Sequence, residues 1–81
     1  MPTRPMELIL YQRDDCALCD EALAVLAAAR VAEPASVFID DDDDLEARYG
    51  TRVPVLRRSA SGDELNWPFD VDDVRRFVQQ D

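Results

Sequence analysis

The sequence predicts an α/β domain with elements in the order β-α-β-α-β-β-α, a mixed four-stranded sheet flanked by three helices. Two observations predict it. The hydrophobic period switches along the chain between short apolar runs of strand length and helical stripes of 3.6-residue period. The early elements fit a parallel β-α-β unit, whereas the last two strands are separated only by a Ser/Gly turn, the mark of a hairpin. The chain has 81 residues, of which 47% are apolar and 33% charged. With no repeat and no linker, residues 1–81 read as a single domain near the lower size limit for an independent core.

Each element has its own signal. Leu8, Ile9, Leu10 and Tyr11 form a continuous apolar run, as in a strand buried on both faces. Gln12 to Asp15 is a polar loop. From Cys16 the spacing of Leu18, Ala22, Val25, Leu26 and Ala29 marks one face of a helix, with Asp15 expected as its N-cap and Pro34 barring it from passing Glu33. Val37, Phe38 and Ile39 are the second strand. The aspartates Asp40 to Asp44 lead into a short helix, Leu45 to Tyr49, closed by Gly50. Val53, Val55 and Leu56 form the third strand, with Pro54 near its start. Ser59, Ser61 and Gly62 mark a turn, and Glu64 to Trp67 alternates as a half-exposed fourth strand. Asp70 is expected to cap a last helix with Val71, Val74, Phe77 and Val78 inward.

Composition excludes several function classes. Nine cations, all arginine, face eighteen acids, for a formal net charge of −9. Such a chain repels phosphate backbones and anionic lipid, so nucleic-acid and membrane-surface roles are disfavoured and basic partners are favoured. Histidine is absent, which removes imidazole catalysis and the usual zinc ligand. The Met1–Pro5 start is too short and proline-broken for a signal peptide, and no stretch approaches a membrane span. A cytoplasmic location is therefore expected, where thiols stay reduced.

The two cysteines carry the chemistry. A Cys-x-x-Cys that follows a strand and opens a helix places its first thiol among unpaired backbone N–H groups, which favour the thiolate. The second lies almost one turn on, within reach of a mixed disulfide on the first. Cys16 is then the nucleophile and Cys19 the resolving thiol. The bland alternative is a pair of small buried hydrophobes. A metal site would need more ligands than two sulfurs supply, hence a dimer or an external thiol, and no metal is assigned. In Arg52-Val53-Pro54-Val55, a proline cannot donate to a sheet ladder. Either a cis X-Pro bond or a trans proline at a strand start accounts for it.

Leu10-Tyr11, the run Cys16-Ala17-Leu18-Cys19-Asp20-Glu21-Ala22, the run Tyr49-Gly50-Thr51-Arg52-Val53-Pro54-Val55-Leu56, and Gly62-Asp63-Glu64-Leu65 resemble the small bacterial glutaredoxin-like proteins of the thioredoxin superfamily. The resemblance spans Leu8 to Val78. It implies a thioredoxin-like fold, a cis-proline loop at Val53-Pro54 facing Cys16, and glutathione as a thiol partner. The sequence departs from the family in three places. Ala17 and Leu18 replace the Pro-Tyr of Cys-Pro-Tyr-Cys. Arg13, Asp14 and Asp15 stand where a lysine helps to hold glutathione. Trp67-Pro68-Phe69-Asp70 replaces a Gly-Gly pair and the acid that receives the γ-glutamyl amine, so that only Asp70 could serve.

Local charge bears on the same point. A helix end stabilises an exposed anion by about 0.3–1 kcal/mol, and a carboxylate at ~4 Å in water opposes it by about 1 kcal/mol. Asp14, Asp15, Asp20 and Glu21 surround the motif with Arg13 as the nearby cation, so the domain is expected to be a weaker oxidant than a glutaredoxin and slower with anionic glutathione.

Asp40 to Asp44 lacks the alternating ligands and distal glutamate of a calcium loop and reads as a strand end and helix cap. Trp67 reads as packing for the last helix, with a place beside the thiol groove as the functional option. Arg48 and Arg52 flank the proline loop and could anchor a substrate carboxylate or pair with surface acids.

The reading that unites these features is a monomeric thiol–disulfide oxidoreductase acting on protein or small mixed disulfides and served by a reductase. It requires no cofactor. Cys16 and Cys19 react; Arg52, Val53, Pro54 and Asp70 bind substrate. Two other classes stay open: a non-catalytic acidic module that holds a basic partner, and a dimeric metal–sulfur carrier.

Overall fold

The computed structural model describes residues 7–79; the Met1–Pro5 start lies outside the described residues. The chain runs β1 (Leu8–Gln12), α1 (Ala17–Ala29), β2 (Ala35–Phe38), α2 (Asp43–Tyr49), β3 (Val55–Arg58), β4 (Glu64–Asn66) and α3 (Val71–Gln79). The strands form one mixed sheet in the order β2-β1-β3-β4. β1 is parallel to β2 and antiparallel to β3, and β3 and β4 form the antiparallel hairpin. The expected order and sheet are therefore the observed ones.

Strand alternation sorts the core into two faces. Leu8, Leu10 and Leu56 point to one face, where they pack with Ala22, Leu26 and Ala29 of α1 and with Phe69, Val74 and Phe77 at α3. Tyr11 and Val55 point to the other, against Ile39 and Tyr49, with Leu45 of α2 alongside. Trp67 joins the first face, edge-on to Phe69 at 5.0 Å between ring centroids.

Register fixes which loops meet. Tyr11 pairs with Val55, and Val55 with Asn66. The end of β1, the start of β3 and the end of β4 therefore lie at one end of the sheet. β2, parallel to β1, ends there too. The loops leading to Cys16, to α2, through Pro54 and to Asp70 all emerge at this end.

Local details differ from the sequence expectations. α1 is capped by Cys16, not Asp15: the Cys16 Sγ accepts the Cys19 N–H, while Asp15 sits in the turn before it at φ 54°. Aspartate tolerates this left-handed conformation better than most residues. The helix stops at Ala29, short of the limit set by Pro34, because Arg30 turns left-handed (φ 59°) and returns its N–H to the Ala27 carbonyl at 3.1 Å. Leu18, expected inward, is 48% exposed, and Cys19 completes the buried stripe in its place at 1%. Both lie one turn from Ala22, so the helical period admits either.

Val53 and Pro54 precede β3 rather than belonging to it. Trp67 follows β4. Ile39 lies beyond β2, yet its N–H still reaches the Gln12 carbonyl at 3.0 Å. α2 starts at Asp43, with the Asp42 carboxylate accepting the Asp44 and Leu45 amides at 3.0 and 3.1 Å. Gly50 closes α2 in a right-handed conformation (φ −53°). Its need for glycine is one of space, since a Cβ there would meet the Glu46 carbonyl and carboxylate.

Candidate active site at the cysteine pair

The β1–α1 loop delivers Cys16 to the sheet end, and the first turn of α1 carries Cys19 beneath it. Both are free thiols, Cys16 partly exposed and Cys19 buried. The Cys19 N–H donates to the Cys16 Sγ at 3.2 Å, so the nucleophile candidate occupies the N-cap of a thirteen-residue helix. A donor aimed at sulfur in this way strengthens as the sulfur acquires negative charge. Burial pushes the Cys19 thiol up to about 11, reinforced by its hydrogen bond with Cys16, opposed by one with the Arg13 backbone, and raised further by the charges of Cys16 and Asp20. The two sulfurs are thus unequal. One meets solvent; the other holds its proton.

Val53-Pro54 is a cis peptide, as is Trp67-Pro68. Pro54 is buried where the chain enters β3, at the cysteine end of the sheet.

The side chain that organises this end is Arg13. Its NH1 donates to the Glu46 Oε2 at 3.0 Å and reaches the Asp40 Oδ1 at 3.4 Å. Its NH2 bonds the Glu46 Oε1 and donates to the Gly50 carbonyl at 2.9 Å. The other Asp40 oxygen accepts the Asp14 amide at 2.8 Å. One guanidinium therefore ties the cysteine loop to α2 and to the start of the proline loop. Bidentate capture by Glu46 holds Arg13 above the usual arginine range, with smaller contributions from Asp40 and Cys16.

A family model described as Glutaredoxin-like domain (DUF836) matches residues 7–79. The chain belongs to this glutaredoxin-like family. It is similar to the Northeast Structural Genomics target protein XcR50 from X. campestris, at 58% identity and a TM-score of 0.83, over 88% of this chain and 93% of that one. It is also similar to protein Ne2328 from Nitrosomonas europaea, at 30% identity and a TM-score of 0.79, over 95% of each chain. A search of curated proteins finds no match. The glutaredoxin-like fold is accordingly the α/β, thioredoxin-like arrangement that the motifs implied.

Within this glutaredoxin-like domain, the loops that carry Cys16, Val53, Pro54 and Asp70 emerge at one end of the sheet, with Cys19 in the first turn of α1. The Arg52 guanidinium has several internal partners. Its Nε donates to the Arg48 carbonyl at 3.1 Å and its NH1 to the Asn66 Oδ1 at 3.3 Å; Glu64 stands 3.5 Å away and the Tyr49 ring 5.0 Å below. Asp70 caps α3 reciprocally. Its Oδ1 accepts the Asp73 N–H at 2.8 Å, and its own N–H donates to Asp73 at 3.1 Å. Among the described residues no group of three or more Cys, Asp or Glu side chains is arranged to hold a metal ion, and no helix is long and apolar enough to cross a membrane.

Sequence reasoning missed Glu46, Asp40 and Tyr49. Tyr49 stacks on Tyr11 at 4.1 Å between ring centroids and donates its hydroxyl to the Glu64 Oε2 at 2.6 Å. The Arg13–Glu46 pair spans 33 residues, and no local periodicity announces a contact so distant in sequence.

Proposed function

We propose that the chain is a thiol–disulfide oxidoreductase in which Cys16 attacks and Cys19 resolves. The observation that carries the reading is the inequality of the two sulfurs: a partly exposed Cys16 receiving an amide donor, above a buried Cys19 whose proton is held to about 11. The Cys16 thiolate attacks one sulfur of a substrate disulfide. A Cys16–substrate disulfide forms, and the displaced thiolate leaves and takes a proton. Cys19 then loses its proton and attacks the Cys16 Sγ. This releases the second substrate thiol and leaves a Cys16–Cys19 disulfide. Two electrons pass from the dithiol to the substrate, and an external dithiol reductant restores the pair.

In this reading Val53 and Pro54, at the same end of the sheet, bind the substrate chain as Cys16 attacks, and the exposed Leu18 offers it an apolar lip. Asp70 and Arg52 border the same end. The domain works as a monomer in a reducing compartment, the cytoplasm being the natural one.

Turnover of hydroxyethyl disulfide with dithiothreitol as reductant tests the proposal. Cys16→Ser is expected to abolish it, and Cys19→Ser to accumulate a mixed disulfide on Cys16. Full activity in both single variants would refute the assignment.

A further inference from the structure

Cations beside a reactive thiol ordinarily recruit anionic thiols and disulfides. Three arginines stand near the cysteine end of this sheet: Arg13 and Arg52 are engaged internally, and Arg48 is exposed in the last turn of α2. Arg52 is held by Asn66, Glu64, the Arg48 carbonyl and the Tyr49 ring. Arg13 is held by both oxygens of Glu46, by Asp40 and by the Gly50 carbonyl. Gly50 leaves the room in which the Glu46 carboxylate sits. One guanidinium facing two carboxylates leaves the cluster net negative. Asp14, Asp15, Asp20 and Glu21 are all exposed, and among the described residues none of them is ion-paired. Between the thiols, Leu18 presents an apolar surface.

We propose that Glu46 and Asp40, by occupying Arg13, set the substrate class of the Cys16 thiol: neutral or cationic disulfides, including those flanked by basic residues in a protein, and not glutathione disulfide. The proposal rests on reading Cys16–Cys19 as a thiol–disulfide couple. In it Arg13 is a positioning residue that fixes the cysteine loop against α2 and Gly50. Glu46 and Asp40 are the specificity determinants, because they neutralise the charge that an anionic substrate would need. Glutathione disulfide carries more carboxylates than ammonium groups, so it approaches a field of its own sign.

Salt dependence separates charge from positioning in the test. Glu46→Gln removes the charge and keeps one of the two side-chain oxygens that accept from Arg13. Asp40→Asn removes the charge of the second carboxylate and keeps one of its two accepting oxygens, and it guards against a poorly folded first variant. Pre-reduced protein is mixed with cystamine (cationic), hydroxyethyl disulfide (neutral) and glutathione disulfide (anionic), and oxidation of the cysteine pair is followed in a single turnover. The wild type is expected to react in that order, fastest with cystamine. Glu46→Gln is expected to raise the glutathione rate relative to cystamine severalfold at low salt, because removing one negative charge favours the anionic disulfide and disfavours the cationic one. The gain should shrink in molar salt.

A wild type as fast with glutathione disulfide as with hydroxyethyl disulfide overturns the proposal but leaves the couple standing. So does an unchanged ratio in both folded variants. No reaction with any of the three disulfides overturns the couple itself, and the proposal with it.

Discussion

The two faces of the sheet are built on different physics. The face under α1 and α3 is mainly aliphatic and aromatic, with Leu10, Ala22, Leu56 and Val74 fully buried; its polar members are the buried Gln12 and Arg58, the latter's guanidinium 5.9 Å from the Phe77 ring. The face under α2 has a smaller apolar cluster of Tyr11, Ile39, Tyr49 and Val55. Polar links surround it: Tyr49 to Glu64, Arg52 to Asn66, and Arg13 to Glu46, Asp40 and Gly50. Non-directional burial holds the first face together. Directional bonds spanning distant segments register the second, and among them the Arg13 bonds tie the cysteine loop to α2 and to the Gly50 carbonyl. The difference teaches that the domain draws its stability mainly from one side of the sheet and the geometry of its site mainly from the other.

The largest expected effect breaks the first side. Leu10 is fully buried at the centre of β1, so Leu10→Ala should cost about 3 kcal/mol through lost transfer energy and a cavity. Urea unfolding measures it. A cost below about 1 kcal/mol would place the stability elsewhere.

The next effect appears with pH. Cys19 lies on α1, and its folded-state thiol is raised from 9.0 to about 11. The folded chain therefore holds this proton more tightly than the unfolded chain. The contribution is fully present below pH 9 and is lost as pH rises through 11. Its size is roughly 2–3 kcal/mol, at about 1.4 kcal/mol for each pKa unit. Urea midpoints of the wild type should fall across that window more steeply than those of Cys19→Ala. Parallel curves would show that Cys19 titrates as it does in the unfolded chain.

The smallest stability effect belongs to the α2 side. Glu46→Gln, which shifts substrate preference, should barely move the urea midpoint, because the pair is partly solvated. A large loss there would make the clasp a structural necessity and blur the contrast between the faces.

Much of this was legible in the sequence. The continuous run Leu8–Tyr11, the Cys16–Cys19 spacing and the Ser/Gly turn before Glu64 carry their own periodicity, and they predicted the element order and sheet. Asp70 and the run Asp40 to Asp44 announced helix caps by residue type, and Asp70 and Asp42 serve as such. The end of α1 was not legible, because a left-handed Arg30 carries no residue signature of the kind that glycine would. The choice of Cys19 over Leu18 for the buried stripe turned on which of two equivalent helical positions met the core. The clasp around Arg13 was invisible for another reason: its partners come together only when β1, α2 and the loop after α2 are folded side by side. Charge counting around Cys16 saw Arg13 as the one nearby cation, whereas the fold commits it to Glu46 and Asp40.

The central claim is the division of labour between the sulfurs, and timed alkylation of the reduced wild type reads it most directly. At pH 7, with iodoacetamide and mass-spectrometric mapping of each site, Cys16 should be modified at least about tenfold faster than Cys19, since the thiolate is the reacting form and Cys19 is both buried and protonated. Equal rates, or a faster Cys19, would contradict the account.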